Sequence, residues 1–527
     1  VLVSTYEYDL NGNLVHRSCQ GCPDCATEAD YEYNAYNWRT AEIRPDGTTH
    51  FEYDNAGKVT RQYAVDADTG LTLSETRSDY DNLGRAWRTR KLSNPGGAPN
   101  DALDRVTETG FDQAGNTTLS RRRASTGNAE TVYAYDFANR RTSMTDAENG
   151  VTTYDHDGRG NVVLIVDPVG NETHFTFDAG GRQTEEKRCQ GVLIDLQVLS
   201  EYDSRDNRIR ETACDVFLSP LSQKRWEYDA LRRNTRRVQT ADPGSAVPVD
   251  LSIDRVTDLT YVSGANRVDT ETMYVGDPPS PRTTDYDYDD IGRLTLLTDP
   301  AGNTESRTYT VHNQILTKTF TEPPLAARTF TYGYDALGRM TSEVASGPPE
   351  LTTTYDYDAL GRRIRMVDAA NIATEYTYNA FDDQTWVTEN ADGAAPRQTE
   401  SQYNQLGYLT LQRTWDGQGL TETTTYQNDK VGRRLEVDFC DGGSWHYVYD
   451  DAGRVSQRTD PRGQVTTYTD NWRGQVLTKT VDGQLCETYT YSPSGWMTLA
   501  RRNMMNRVIF SYDGFGQVVS ELQAVAG

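Results

Sequence analysis

Tyr6-Glu7-Tyr8-Asp9-Leu10-Asn11-Gly12-Asn13 opens a phrase, Tyr-x-Tyr-Asp-x-x-Gly-Arg/Asn, that recurs along the chain as far as Phe510-Ser511-Tyr512-Asp513-Gly514-Phe515-Gly516-Gln517. Toward the C-terminal end the anchor position falls on Asp429, Asp450, Asn471, Ser492 and Asp513, in four equal steps. A fixed period of this size means one supersecondary unit copied many times. Twenty-one copies are anchored in this way, including Asn34, Asp54, Asp81, Asp112, Asp136, Asp157, Asp178, Asp203, Asp229, Asp289, His312, Asp335, Asp358, Asn379 and Asn404. The interval from Asp229 to Asp289 is more than twice the period and predicts one further, degenerate copy around Tyr261.

Each copy carries two turn signals. The first, as in Asp335-Ala336-Leu337-Gly338, joins a carboxylate that caps the turn to a glycine able to take positive φ. The second comes half a period later and is best kept in Asp167-Pro168-Val169-Gly170, Asp299-Pro300-Ala301-Gly302 and Asp460-Pro461-Arg462-Gly463, where proline sets φ at the first corner. Between the turns lie β-branched and aromatic segments of strand length, such as Val465-Thr466-Thr467-Tyr468-Thr469 and Val476-Leu477-Thr478-Lys479-Thr480. One period is therefore one β-hairpin. The spacing predicts an all-β antiparallel meander of about forty strands, with both tyrosines of Tyr-x-Tyr on one face. At ~4.8 Å per strand such a sheet spans on the order of 200 Å. Open twisted sheets rarely exceed ~10 strands without curling, so this one is expected to coil on itself as a spiral, tube or shell.

The irregular copies add a further expectation. Insertions rich in Pro and Gly occur at Pro95-Gly96-Gly97, Pro243-Gly244, Pro323-Pro324, Pro348-Pro349 and Gly393-Ala394-Ala395-Pro396, at offsets of 14, 14, 11, 13 and 14 from their anchors. All replace the second turn, while the Asp-x-x-Gly turn keeps its length. Because the two turns lie at opposite ends of the hairpin, every long loop should project from one rim of the sheet.

Composition agrees with strands. Tyr numbers 33 against 12 Phe, Gly 42, and hydrophobic residues make up only 36%, too few Leu, Ile and Met for a helical chain of 527 residues. A net charge of −25 argues against a nucleic-acid partner, whose affinity rests on Lys and Arg at phosphates. No apolar run approaches the ~18–20 residues of a membrane span. Val1-Leu2-Val3-Ser4-Thr5 lacks a basic n-region and a long apolar core, so no signal peptide is expected.

The two phrases Tyr-x-Tyr-Asp-x-x-Gly-Arg and Asp-Pro-x-Gly-x-x-Thr-x-x-Tyr resemble the YD repeats of Rhs proteins, a group that includes Tc-toxin shell subunits and the extracellular part of teneurins. The resemblance covers residues 4 to 522. It implies a spiral β-sheet that forms a hollow cocoon, enclosing a C-terminal toxic domain in the bacterial toxins and serving cell–cell adhesion in teneurins. On it the chain is expected to be a single array, residues 1–527 with about 21–22 repeats, without a separate catalytic domain. The family's plug, propeller, variable toxin domain and self-cleaving aspartate site have no counterpart in the motifs, and neither end shows the polar cap that repeat arrays need. A segment of a larger shell is the reading that follows. The partners it implies are a polypeptide cargo or the remainder of the same shell, with a glycan or cell-surface partner as the alternative, and the location it implies is secreted or cell-surface.

Candidate chemistry is sparse. His16, Cys19, Cys22 and Cys25 stand at three-residue spacing in a stretch with Gly21 and Pro23. A zinc site is chemically possible there; a local disulfide with one free thiol, or three reduced cysteines, fits the same residues, and one such run is a weak signal. No metal and no cofactor is therefore assigned. Cys189 and Cys214 stand at the same offset from their anchors, Asp178 and Asp203, in consecutive copies. Equivalent positions of consecutive hairpins are two strands, about 9.6 Å, apart, beyond the ~7 Å Cα limit of a disulfide, so both are expected to be unbridged. The six histidines, His16, His50, His156, His174, His312 and His446, fall at unrelated repeat positions, and no hydrolase, zincin or phosphate-loop motif is present. No catalytic residues are assigned and the chain is read as non-enzymatic. Asp287, Asp289 and Asp290 supply oxygen ligands of a kind calcium uses, but cap their own turn just as well. The tyrosines with Trp226, Trp386, Trp415, Trp445 and Trp472 have the rings for sugar stacking; as residues of the repeat itself they read more simply as cross-strand pairs.

Overall fold

A Tyr-x-Tyr alternation followed by Asp-x-x-Gly asks for a strand that ends in a tight reversal, and the chain complies throughout. The computed structural model describes residues 3–20, 28–125, 127–190, 193–215, 217–240, 249–250, 254–275, 280–335, 337–471, 473–492, 494–502, 506–512 and 517–525. Among these, every regular element is a β-strand, forty-four in all, from β1 (Val3–Tyr8) to β44 (Val518–Val525) in one sheet. Each described pairing is antiparallel and joins strands consecutive in sequence. Among the described turns, each odd-numbered strand enters the next even one through the first turn of the repeat, Asp-x-x-Gly in most copies, and each even one enters the next odd one through the second turn.

The degenerate copy is present as β21 (Arg255–Tyr261) and β22 (Val268–Val275), which makes twenty-two hairpins. Its turn runs from Val262, whose amide donates to the Arg267 carbonyl at 2.9 Å. That turn is one residue longer than every other described first turn, so among the described copies the length is constant in all but this one. A second correction concerns the copy placed at His312. Its anchor is Thr310: the Thr310 amide donates to the Gln314 carbonyl at 2.7 Å, and the Thr310 hydroxyl accepts the amides of His312 and Gln314, both at 3.2 Å. A hydroxyl does here what the carboxylate does elsewhere. Counted from Thr310, the insertion at Pro323 stands at the same offset as Pro348 does from Asp335, in line with the others.

The long loops share one rim, as the offsets required. Residues 92–104 join β8 (Ala86–Lys91) to β9 (Arg105–Phe111), and 322–327 join β26 (Ile315–Thr321) to β27 (Arg328–Tyr334). Residues 346–350 join β28 (Met340–Ala345) to β29 (Leu351–Tyr357), and 390–396 join β32 (Gln384–Glu389) to β33 (Arg397–Tyr403). All are even-to-odd connections. The loop at Pro243-Gly244 lies outside the described residues.

The pairing slips by one residue beside each first turn whose register is described. Glu7 pairs with His16 but Tyr8 with Leu14, and Asp356 pairs with Arg365 but Tyr357 with Arg363. Each slip is a β-bulge, which bends and twists the strand pair locally. The sheet is mostly one layer thick. Among the described residues the buried apolar side chains are few, Leu92, Val106, Val238 and Val256 among them. Cys189 and Cys214 are buried and unbridged, on β16 (Gln183–Gln190) and β18 (Arg208–Cys214), two strands apart.

Contacts divide the chain into two compact units. One comprises residues 1–133, 146–148 and 306–444, the other residues 134–145, 149–305 and 445–527. Within the first unit a later pass of the chain is seated on an earlier one, roughly 300 residues apart, rim against rim. First turns of the later pass meet second turns of the earlier. Arg105 pairs with Asp383 and lies over the Phe381 ring at 4.3 Å, and Lys91 pairs with Asp382. Arg339 pairs with Asp46 at 3.2 Å. Gln405 accepts the Ser125 amide at 2.7 Å and donates to the Asp101 carbonyl at 3.0 Å, while Arg122 donates to the Tyr408 hydroxyl at 2.8 Å. Glu148 accepts the Lys430 amide at 2.9 Å.

Candidate functional site

The repeated residues are the obvious place to look for chemistry, and each has a structural task. In the first turn at Asp81, one carboxylate oxygen accepts the amides of Leu83 and Arg85, both at 2.9 Å. The other accepts Arg85 Nε at 2.7 Å. The same guanidinium reaches the next turn, donating to the Asp112 carbonyl at 3.2 Å and lying over the Phe111 ring at 4.4 Å. Arg140 repeats this reach to the Asp157 carbonyl at 2.7 Å, Arg339 to Asp358 at 2.9 Å and Arg454 to Asn471 at 2.7 Å. Where the last position is Asn, as at Asn13 and Asn161, its amide binds the anchor carboxylate at 2.8 Å. Gln314 and Gln475 reach the following turn as Arg does, at 2.8 and 2.6 Å. The Arg–carboxylate bonds are charge-assisted and strong of their kind. At Asp178 and Asp81 the carboxylate is held below the usual aspartate range: at Asp178 the Arg182 side chain is the largest cause, at Asp81 the Arg85 amide.

The second tyrosine of Tyr-x-Tyr makes the other link. Its hydroxyl donates to the carbonyl of the first residue after the preceding copy's turn: Tyr33 to Leu14, Tyr53 to Arg39, Tyr80 to Val59, Tyr334 to Ile315, Tyr357 to Met340 and Tyr512 to Met497, at 2.6 to 2.9 Å. A carbonyl at the end of a strand, next to a bulge, thereby gains a donor. The preference for Tyr over Phe follows, since only the phenol supplies one. Asn428, standing in that position, serves the Leu409 carbonyl at 2.9 Å.

The sequence candidates are not brought together. His16 Nδ1 binds Asp30 at 2.6 Å, and that bond is the largest cause raising its pKa. Cys22 and Cys25 lie outside the described residues, as does the side chain of Cys19, which sits in β2 (Leu14–Gln20). Among the described residues no group of three or more His, Cys, Asp or Glu could hold a metal ion. Asp289 is a turn anchor, accepting the Arg293 amide at 2.8 Å and its Nε at 2.7 Å. His50 stacks on Tyr63 at 4.8 Å and His174 binds Glu172 at 2.7 Å. Both stand four residues before their anchors, Asp54 and Asp178, as His446 does before Asp450, which corrects the expectation that the histidines fall at unrelated repeat positions. The Trp386 and Trp415 rings stack at 5.2 Å, bridging the strand between them, and Trp226 and Trp445 lie beneath Arg208 and Arg458, each at 4.7 Å. Trp472 lies outside the described residues.

Among the described residues two recesses on the sheet bear on this. One, of 580 Å³, is lined by Arg232, Arg233, Tyr261 and Ala265, but Arg233 already bonds Asp229 and the Ala265 carbonyl, both at 2.6 Å, and the Tyr261 hydroxyl donates to Asn234 at 2.7 Å. The other, of 390 Å³, is lined by Glu487, Tyr489, Arg502, Arg507 and Gln523. There burial, and then the Glu487 carboxylate, push the Tyr489 phenol up to about 12. That is the wrong direction for a general base or nucleophile near neutral pH.

Two acids that are fully buried escaped the sequence reading. Glu75 is fully buried in β7 (Thr72–Tyr80). Burial alone would raise its pKa, but bonds from Arg61 at 2.7 Å, the Gly96 amide at 2.7 Å and Arg77 at 2.7 Å outweigh that and hold it at about 2. Asp104, also buried, accepts the Ser93 amide at 2.9 Å and the Asn100 amide at 2.7 Å. The two acids fasten the 92–104 loop back onto the sheet. A signal for the second was present: Asn100-Asp101-Ala102-Leu103-Asp104-Arg105-Val106-Thr107 is echoed by Asp250-Leu251-Ser252-Ile253-Asp254-Arg255-Val256-Thr257, and the Asp250 amide likewise donates to Asp254 at 3.0 Å.

Comparison with known proteins agrees with this geometry. Residues 135–171 and 429–465 match the family model described as RHS Repeat. The chain carries RHS repeats. No curated protein matches the RHS-repeat chain. Among solved structures, its sheet is similar to the crystal structure of TcdB2-TccC3-TEV, with a TM-score of 0.60 and 14% identity over 99% of this chain and 31% of that one. TcdB2-TccC3 without its hypervariable C-terminal region gives 0.57 and 14%, over 99% of this chain and 30% of that one. At that identity the likeness is one of fold. The RHS-repeat chain spans under a third of the length of the chains it resembles.

Proposed function

We propose that the chain is a non-enzymatic wall segment of a secreted or cell-surface encapsulating shell, whose sheet keeps a polypeptide cargo from solvent and from targets until release. The mechanism is steric: an unbroken hydrogen-bonded sheet has no gap through which an unfolded segment or a protease could pass. The observation that carries this reading is that, in copy after copy of the described residues, the second Tyr of the phrase and the Arg of the turn bind one copy to the next. They build a continuous surface and leave no convergent set of reactive groups among the described residues. The fold likeness to TcdB2-TccC3 supports it.

The test is protease protection in the natural full-length polypeptide. If the repeats enclose cargo, neighbouring non-repeat segments resist a broad-specificity protease as long as the sheet is folded, and become sensitive at the denaturant concentration where the sheet melts. Cleavage of those segments at the same rate with the sheet folded or melted would refute encapsulation.

A further inference from the structure

In the first turn the two residues after the anchor face away from the clamp, and the first unit holds them in two conditions. In the copies anchored at Asp335, Asp358, Asn379 and Asn404, Leu337, Leu360, Phe381 and Leu406 are half-buried. This is the stretch of rim seated on the earlier pass, where Arg105 covers Phe381 and Arg122 reaches the Leu406 carbonyl at 3.4 Å. In the copies anchored at Asp9, Asn34 and Asp81 the same pair of positions presents Leu10, Tyr36 and Leu83. Leu10 is fully exposed, and Tyr36 and Leu83 are each 73% exposed. Single exposed apolar residues need no explanation. Three of them in the first four copies of one rim, interrupted only by Asn55-Ala56, at a position half-buried along most of the seam although Val431 beside the Lys430–Glu148 bond stays exposed, mark that rim as a contact surface.

We propose that the Leu10–Tyr36–Leu83 rim is a docking surface for the second-turn rim of another repeat sheet of the same kind, and that a second copy of this chain is such a partner. The seam inside the first unit supplies the pattern of contact: apolar residues of the first turn against second-turn backbone, with charged side chains on either side. The second-turn rim of residues 322–350 is open to receive it, with Leu325 65% exposed. Charge matches as well, since Lys58 is exposed in the first rim and Glu322 and Glu350 in the second. Unlike rims meet in this contact, so copies add head to tail rather than closing as a symmetric pair.

Sedimentation velocity of the purified chain at rising concentration tests this. The wild type should form species larger than the monomer in a concentration-dependent way. The variant Leu10→Asp/Tyr36→Asp/Leu83→Asp should weaken that association by about a hundredfold, as loss of interface anchors does, with circular dichroism and thermal midpoint unchanged because all three side chains are exposed. Leu325→Asp, on the opposite rim, should weaken it equally. An equimolar mixture of the two variants retains one intact rim of each kind and should restore a dimer but no longer oligomer. Leu406→Asp, inside the existing seam, should instead lower the thermal midpoint. A monomer at every concentration, association that survives either rim variant, or no dimer in the mixture would overturn the proposal.

Discussion

Each position of the repeated phrase has its own job, and single substitutions separate them. Tyr357→Phe removes only the hydroxyl that serves the Met340 carbonyl; the expected loss is about 0.5–1.5 kcal/mol in denaturant unfolding, with the ring packing kept. Glu75→Gln acts differently, because it leaves Arg61 and Arg77 without their buried counter-charge, and breaking one side of such a pair is destabilising by roughly 3–5 kcal/mol. His16 offers a spectroscopic check. Its pKa is raised by Asp30, so the contribution of the pair is complete below the ordinary histidine range and is lost as pH rises through the raised value. An NMR titration should place His16 above the ordinary histidine value, and Asp30→Asn should bring it back down. The Asp and Gly of the turn were legible from sequence because their chemistry acts within a single turn. The anchor at Thr310 was not, since a hydroxyl replaces the expected carboxylate and His312 stands where the eye seeks a polar residue. Glu75 was not legible either: nothing local says that a loop beyond the next strand will fold back over it.

At the scale of the hairpin, the two turns differ in what they tolerate. The second turn varies in length from copy to copy, and the loop of residues 346–350 is exposed throughout. Replacing 346–350 with the sequence Asp-Pro-Val-Gly-Asn, which already closes residues 167–171 with the Asp167 amide bonded to the Asn171 carbonyl at 3.0 Å, should leave the thermal midpoint nearly unchanged. The same replacement of 92–104 should be strongly destabilising, because that loop carries Leu92 and Asp104, both buried, and supplies the Gly96 amide to Glu75. A comparison of midpoints by differential scanning calorimetry distinguishes the two. Strand positions and the common rim of the long loops could be read in advance because period and offset are properties of one copy. The lengthened turn at Val262 could not, as neither Asp nor Gly sits at its usual place there.

For the whole molecule, the chief expectation from sequence, an all-β meander, follows from local rules summed over many copies. The seam in the first unit had no such precursor. Its two sides are far apart in the chain, and the match depends on curvature accumulated over many bulged hairpins, each adding a small bend. Acid sensitivity also belongs to this scale. Anchors such as Asp81, Asp136, Asp178, Asp229 and Asp289 all have lowered pKa values. Their stabilisation is complete above the ordinary aspartate pKa and falls away as pH drops through the lowered folded values. Glu75 follows the same sign, its share fading as pH approaches about 2. Thermal midpoints should therefore be flat near neutrality and fall steeply below about pH 4, and an Asp→Asn change at one anchor should lessen that fall. A midpoint that does not change across the acid range would contradict the clamp as described.

The reach of that clamp sets how the chain must assemble in time. An arginine or tyrosine that touches only the next copy lets order spread by short steps, so hairpins can form quickly from any starting point along the array. Bonds such as Arg105 to Asp383 must wait until both passes exist and have curved into alignment, which makes their closure the slow step. During synthesis the earlier rim is therefore finished and waiting, for as long as it takes to make everything between Arg105 and Asp383, before its mate emerges from the ribosome.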